Sequence, residues 1–364
     1  MAGRSVRHRS APARNLGYAT ALAVLAFCGL VAAQGPSGTS AFSKDDLQVS
    51  VSASDQYAAG GAARVYRHVR YARTPAGEAA RSLARFNRRR SLVAAAAPAI
   101  AGRNFEQNPG DLTYQGGQTV EFAASHAVFL NLGGACTIAS CWGDPEGFLA
   151  DLSRSNLIHV VDQYVGLPFD RRYTVGSRAV VTGALPGSPL SESDLIAILH
   201  AVVVQTGQAG YGNIYHLFLP PGVDTCFDAP FNDSCYSPDN FGTFGFCAYH
   251  DSVTFGDVGH VLFTVEPYQN VNGCADPPGG PNGQLADSTD DTLSHETIET
   301  ITDPDGDAFW NMSNFVMFGE EIADECLFLG PDGNISEPTF FMGRKLYRVQ
   351  SEYSNNRHAC VITP

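Results

Sequence analysis

The distribution of cysteines constrains the fold of this 364-residue chain more than any other feature. One cysteine lies at position 28, inside an apolar N-terminal run, and eight lie between positions 136 and 360. An even number in an exported chain predicts up to four disulfide bonds, although spacing alone does not fix their connectivity. A cysteine-ligated zinc site is the disfavoured alternative, because no C-x2-C pair occurs. Nearest-neighbour pairing predicts Cys136–Cys141, Cys226–Cys235, Cys247–Cys274 and Cys326–Cys360.

The N-terminal residues predict a secretion signal. Four arginines precede an uncharged run from Leu16 to Ala33, whose end, Val31-Ala32-Ala33, offers the small residues that a signal peptidase reads. We therefore place a signal peptide at residues 1–33 and expect a secreted, extracellular protein that does not contact the membrane after cleavage. An uncleaved anchor is the alternative, because about 18 apolar residues can just span a bilayer.

The charge divides the rest of the chain into a basic leader and an acidic body. The net charge of -14 combines +11 on residues 1–103 with -25 on residues 104–364. The acidic body would repel phosphate, so a nucleic-acid partner is not expected. Residues 34–103, rich in Ala and Arg, are either a flexible linker or a propeptide, cleaved near Arg88-Arg89-Arg90, that pairs with the acidic body. Residues 104–364 are predicted to be the globular domain.

Apolar periodicity predicts both helices and strands in the globular domain. Strands are expected at 119–132, 179–181, 214–219 and 258–265. Helices are expected at 146–165 and 191–205, with a further basic helix within 62–90. A loop-rich segment containing several cysteines lies between the last two strands. The pattern predicts an α+β fold, a single domain with a mixed sheet and a disulfide-rich loop region.

Residues 288–302 predict the helix that carries the chemistry. His295 and Glu299 are four residues apart, so they project from one helix face, about 5–6 Å from each other. The H-E-x-x-H motif presents two zinc ligands in this way, and its Glu activates water. Here Glu299 replaces the second His, while Glu296 keeps the position of the general base. The N-cap candidates are Ser288, Thr289 and Asp290, and Asp303-Pro304 is the expected end.

A downstream acidic cluster can complete a metal site. Glu321 and Asp324 are three residues apart, so one helical turn would place both on the same face. A Cys326–Cys360 bond would fix that turn. We predict that His295, Glu299, Asp324 and Glu321 hold a divalent ion, with zinc expected and calcium or manganese as alternatives. The competing interpretation of H-E-x-x-E is a solvated acidic helix face.

Two other positions are weaker candidates. Asp305 stands ten residues after His295, where metzincins place a third ligand, but an acidic turn also explains it. His250, in Phe246-Cys247-Ala248-Tyr249-His250, is either functional or a structural histidine beside a disulfide.

Several motifs resemble those of the EXORDIUM-like, or phosphate-induced-protein-like, secreted proteins and their bacterial relatives. The most specific is His295-Glu296-x-x-Glu299 followed by Glu321-Ile322-Ala323-Asp324-x-Cys326. The likeness extends from about Asp111 to Cys360, with Ala248 where relatives often have Gly. The resemblance implies a zincin-like extracellular protein, and plant members of the family are associated with growth regulation at the cell wall. Further matches are Tyr114-Gln115-Gly116-Gly117, Val161-Asp162-Gln163-Tyr164 and Leu217-Phe218-Leu219-Pro220-Pro221-Gly222-Val223.

The residues and the resemblance predict a secreted metal-dependent hydrolase. We expect a zincin-like peptidase in which Glu296 is the catalytic base and the substrate is an extracellular protein or cell-wall component. The alternative is a non-catalytic, cell-wall-associated protein whose metal site is structural or vestigial.

Overall fold

Runs of consecutive strands, separated by single helices or short groups of helices, make up the part of the chain that the computed structural model describes. These residues are 46–50, 68–84, 110–132, 136–166, 168, 170–229, 234–312, 319–327 and 337–364. They form a mixed α+β fold with several sheets, which confirms the predicted fold class at that level. The predicted signal peptide and the Arg88-Arg89-Arg90 sequence lie outside the described residues, so both stay predictions.

The elements are numbered in chain order. The strands are β1 Leu47–Ser50, β2 His68–Tyr71, β3 Leu112–Tyr114, β4 Ala123–Leu130, β5 Tyr173–Thr182, β6 Leu190–Ser191, β7 Asn213–Phe218, β8 Thr225–Cys226, β9 Cys235–Tyr236, β10 Phe246–Phe255, β11 Gly259–Glu266, β12 Phe309–Asn311, β13 Thr339–Met342, β14 Lys345–Arg348, β15 Glu352–Ser354 and β16 Ala359–Val361. The helices are α1 at 75–84, α2 Ile138–Cys141, α3 Pro145–Leu152, α4 Asp162–Val165, α5 Glu192–Thr206 and α6 Gln284–Thr302. Two 3-10 turns cover Ile158–Val161 and Asp324–Cys326.

A seven-stranded mixed sheet organises the fold, with the order β1-β5-β4-β7-β11-β10-β2. Of these strands, only β10 runs against its neighbours, because its pairs with β11 and β2 are antiparallel and the other pairs are parallel. Strand β10 occupies part of the segment that was predicted to be loop-rich. The prediction was wrong there because cysteine and histidine interrupt the apolar pattern, whereas pairing with two neighbours stabilises the strand.

Both faces of the sheet are buried, which explains the nearly continuous apolar runs in its central strands. Side chains alternate between faces along a strand, so Val128 and Phe129 belong to different cores. The Phe129 core includes residues of α3 and α6. The Val128 core includes residues of α5. Helix α6 packs against β10 and β11, and this contact positions the site described below.

The segment 34–103 contributes strands at both edges of the sheet. Strand β1 pairs in parallel with β5, and β2 pairs with β10. Arg70 of β2 is buried and forms an ion pair with Asp291, and Arg81 of α1 pairs with Glu320 at 2.8 Å. The expected basic helix within 62–90 is therefore interrupted, because His68–Tyr71 is strand and helix begins only at residue 75. The proposed boundary at residue 103 stays a prediction.

Three of the four predicted disulfides are present. They are Cys226–Cys235, Cys247–Cys274 and Cys326–Cys360. The predicted Cys136–Cys141 bond is not: both residues are free thiols in this structure. Burial, with the neighbouring Cys141 thiol, raises the pKa of Cys136 to about 12. Three disulfides are consistent with an extracellular protein.

The predicted helices are present with shifted bounds. Ser191 caps α5 by accepting a hydrogen bond from the Asp194 amide, and Gly207 ends this helix in the left-handed conformation. The expected helix at 146–165 is broken into α3, a 3-10 turn and α4. Helix α6 begins four residues earlier than predicted, after Gly283, so the three N-cap candidates lie inside it.

The described part of the chain contains no helix that combines the length and the apolar character needed to cross a bilayer.

Candidate metal centre

Helix α6 is polar in sequence yet buried around almost its whole circumference. From Asp287 to Thr302 every residue is buried, including His295, Glu296 and Glu299 at 0% exposure. A surface helix would expose such residues. Burial of ionisable groups is unfavourable unless partners compensate their charge, and this burial contradicts the alternative of a solvated acidic helix face.

His295, Glu299 and Asp324 bring three ligand atoms together. These atoms lie within 4.8 Å of one another. Nε2 of His295 is 3.2 Å from Oε2 of Glu299 and 3.9 Å from Oδ1 of Asp324. None of the three atoms has a hydrogen-bond partner of acceptable geometry among the described residues. Two ligands held about 2.0–2.1 Å from one tetrahedral zinc ion are separated by roughly 3.3 Å, so the spacing suits a common ion.

Neighbouring groups orient two of these ligands. Nδ1 of His295 is 3.0 Å from the side-chain oxygen of Gln350, and this contact requires the proton on Nδ1. Nε2 therefore presents its lone pair to the carboxylates. The Gln350 amide is held in turn, because its Nε2 donates to the Ala323 carbonyl at 2.8 Å. Oε1 of Glu299 accepts the Asp324 amide at 3.1 Å, which leaves Oε2 facing the histidine.

His250 and Glu321 adjoin the same cluster from the sheet side. Nε2 of His250, on β10, is 3.1 Å from Oε2 of Glu321 and 3.6 Å from Oε2 of Glu299. His250, Glu296 and Glu299 form a second group whose ligand atoms lie within 4.8 Å of one another. Glu299 is thus common to both groups. The structure places all the predicted metal residues, together with Glu296, in one buried region.

The four adjacent carboxylates of the downstream cluster point to different partners. Glu320 accepts from Arg81, and Glu325 accepts from the Asn311 side-chain amide at 2.6 Å. Glu321 lies beside His250, and Asp324 lies beside His295. The 3-10 turn at Asp324–Cys326 and the disulfide to Cys360 hold this geometry. The 3-10 turn begins at Asp324 and leaves Glu321 outside it, so the expected helical turn over both residues is not formed, and the two carboxylates approach different histidines.

Burial controls the protonation of these groups. It lowers the pKa of His295 to about 4, so the imidazole is neutral near pH 7, as a metal ligand must be. Burial and neighbouring carboxylates raise the pKa of Glu296, Glu299 and Asp324 well above their ordinary values. These acids are close to one another in a dry environment, where a divalent cation would stabilise their ionised forms.

The sequence analysis missed Gln350 and two further buried acids, and it treated His250 as a weaker candidate, although His250 adjoins the cluster. Glu266 and Glu352 are at most 1% exposed, and burial raises the pKa of Glu266 to about 8. Oε1 of Glu266 accepts from Thr264 at 2.8 Å, and the Thr264 hydroxyl is 3.0 Å from Nδ1 of His216. No local spacing connects these residues with α6. Side chains alternate between the two faces of β10 and β11, and only this alternation could have indicated that His250 and Glu266 face α6.

Asp305 lies in a different environment from the ligands. Its carboxylate accepts from Ser252 and Tyr211, and one oxygen is 3.1 Å from Nε2 of His260. These hydrogen bonds hold the pKa of Asp305 below its usual range despite partial burial. The geometry therefore gives no support to Asp305 as a third metal ligand, the weaker alternative in the sequence analysis.

A third acidic group, formed by Asp276, Asp291 and Glu337, already has cationic neighbours. Arg70 pairs with Asp291, and Nη1 of Arg73 is 3.5 Å from Glu337. This group is an ion-pair network, in contrast to the cluster formed by His295, Glu299 and Asp324.

Comparison with known proteins adds no family assignment: no protein-family model, no curated protein and no solved structure matches this chain.

Proposed function

We propose that this protein is a secreted, zincin-like metal-dependent hydrolase that cleaves peptide bonds. The proposal depends on one observation: three buried atoms, His295 Nε2, Glu299 Oε2 and Asp324 Oδ1, lie within 4.8 Å of one another. An imidazole oriented by Gln350 and two carboxylates form a ligand set for a divalent ion.

Zinc is the ion that we expect, with manganese or calcium as alternatives because oxygen ligands predominate. When bound, such an ion acts as a Lewis acid and makes water nucleophilic near neutral pH. His295, Glu299 and Asp324 would hold it, with Glu321 close by on the His250 side.

Glu296 has the proton-transfer role in this proposal. Both of its carboxylate oxygens are buried and have no hydrogen-bond partner among the described residues. Such a group can accept a proton from the attacking water and deliver it to the amine that leaves when the C–N bond breaks. Its raised pKa suits a group that must hold this proton between the two transfers.

A structural metal site is the second candidate, and the depth of the cluster favours it. His250, His295, Glu296 and Glu299 have no exposed surface, so the substrate needs a path that the described residues do not display. A protein with such a site would be the non-catalytic, cell-wall-associated alternative that the EXORDIUM-like resemblance implies.

The proposed setting is extracellular. The three disulfides agree with export, and the expected substrate is an extracellular protein or cell-wall component. The ion pairs of Arg70 and Arg81 support the proposal that the basic leader binds the acidic domain.

The test uses secreted full-length protein purified without chelator. Metal content is measured by mass spectrometry, and peptidase activity is measured on casein and a peptide library. We expect bound divalent metal, activity in the wild type, and loss of activity in Glu296→Gln with the ion at His295 retained. Bound metal with equal activity in both proteins would favour the structural role. Absence of metal, with no change in His295→Ala, would overturn both candidates.

A further inference from the structure

We propose that the centre binds two divalent cations that share Glu299. The first position is the one already proposed, formed by His295, Glu299 and Asp324. His250, Glu296 and Glu299 form the second, with Glu321 beside His250. This inference rests on the proposed function, because it adds an ion to the same cluster.

The geometry of Glu299 supports a shared ligand. Its Oε2 is 3.2 Å from Nε2 of His295 and 3.6 Å from Nε2 of His250. Each histidine belongs to its own group of ligand atoms within 4.8 Å, and Glu299 is the residue common to the two groups. Two-metal hydrolases hold their ions about 3.5–4 Å apart, a separation that one carboxylate can bridge.

The second position draws its ligands from three separate elements. His250 lies on β10, Glu296 and Glu299 lie on α6, and Glu321 precedes the 3-10 turn at Asp324. Oε2 of Glu321 is 3.1 Å from Nε2 of His250, and the two atoms are hydrogen-bonded. A cation would replace the shared proton, because the same separation suits two ligands of one ion. Glu296 is fully buried, and neither of its oxygens has a hydrogen-bond partner among the described residues.

The number of ligand groups favours two ions over one. The cluster offers the imidazoles of His250 and His295 together with the carboxyl groups of Glu296, Glu299, Glu321 and Asp324. A tetrahedral zinc site takes four ligands, so one ion would not use them all.

The ligand role of Glu296 is compatible with proton transfer. A carboxylate that gives one oxygen to a cation keeps the other, so a single side chain can hold an ion and accept a proton. The two-ion arrangement differs from the one-ion site in one respect: loss of the Glu296 carboxylate should lower the number of bound ions as well as the turnover.

The experiment counts zinc ions per chain. Full-length secreted protein is saturated with zinc chloride, freed of unbound zinc, and analysed by elemental and native mass spectrometry. We expect two ions in the wild type, and one in His250→Ala, in Glu296→Gln and in His295→Ala. His200→Ala is the matched control and should keep two, because His200 pairs with Asp257 away from the cluster.

The outcomes separate this inference from the proposed function. One ion in the wild type, unchanged in His250→Ala but lost in His295→Ala, overturns the second position and leaves the first. No ion in the wild type overturns both. Circular dichroism checks the fold of each variant, and His250→Gln replaces His250→Ala if the latter does not fold. Calorimetric titration of the metal-free wild type gives an independent count, and a stoichiometry of one contradicts the inference without any variant.

Discussion

Gln350 determines which nitrogen of His295 faces the carboxylates, because its side-chain oxygen engages Nδ1 at 3.0 Å. Removing such a partner from a metal-binding histidine typically weakens metal affinity about 10–100-fold. We expect a loss of this size in Gln350→Ala, measured by competition with a chromogenic chelator. Gln205→Ala, on the exposed face of α5, is the control and should keep wild-type affinity. Equal affinities in all three proteins would remove the orienting role.

Arg70 is the cation that compensates Asp291 inside the protein. Both side chains are at most 4% exposed, and the guanidinium also donates to Thr292. Arg70→Met leaves Asp291 as an uncompensated buried charge, so the free energy of unfolding should fall by about 3–5 kcal/mol. Urea denaturation measures it. Arg344→Met, at an exposed position, should change stability by less than about 0.5 kcal/mol.

His216 makes stability depend on acid pH. Burial lowers the pKa of this histidine from 6.5 to about 3. Below pH 6.5 the histidine is protonated in the unfolded chain, whereas in the folded protein it stays neutral until about pH 3. The free energy of unfolding therefore falls as the pH decreases through this window. The full shift corresponds to about 5 kcal/mol. In His216→Asn, which can still bond Thr264, the decrease in melting temperature from pH 7 to pH 4 should be smaller. An unchanged decrease would contradict the assignment.

The turn that carries Asp324 depends on a single disulfide. Cys326–Cys360 closes 34 residues and ties the turn to β16. Replacing both cysteines with Ala should lower stability by about 2–5 kcal/mol and weaken metal binding, because Asp324 loses its fixed position. The Cys226–Cys235 bond closes a loop of only 9 residues and lies far from the candidate ligands. Its removal should therefore lower stability less and leave metal affinity unchanged. Calorimetry and the chelator assay measure the two effects. Equal affinity losses in both variants would contradict this local role.

Elements differ in how far local sequence specifies them. Helix α5 has Ser191 and Asp194 as a capping box and Gly207 at its end, so its bounds agree with the prediction to within one residue. In α6, favourable cap residues at 288–290 suggested a start that the chain does not use. The helix instead begins at Gln284, where the Asp287 amide donates to the Gly283 carbonyl and the Gln284 side chain donates to the Asp276 carbonyl.

In the whole molecule, the strands Leu47–Ser50 and His68–Tyr71 form the two edges of the seven-stranded sheet. A chain that begins at residue 104 loses β1, β2 and the arginines that compensate Asp291 and Glu320. We expect it to lack cooperative thermal unfolding by circular dichroism, whereas a chain that begins at residue 34 should unfold cooperatively. If both chains melt at the same temperature, residues 34–103 are dispensable for folding, and the leader acts as a separable propeptide.

Features that depend only on neighbours along the chain could be predicted from the sequence. Positions 295 and 299 share a helix face whatever the remaining fold is, because the α-helix repeats every 3.6 residues. Three disulfides followed from nearest pairing, and β7 and β11 followed from their apolar runs. Cys136 and Cys141 show the limit of this approach, since proximity along the chain did not produce a bond.

Residues that are distant in the sequence complete the candidate metal cluster. His250, Glu299 and Gln350 are separated by about fifty residues at each step, and strand pairing and helix packing bring them together. The same long-range contacts bury the polar surface of α6, which the composition alone would assign to solvent. Local periodicity determines which side chains share a face of a helix or strand. Which other element covers that face depends on burial and charge compensation across the whole fold.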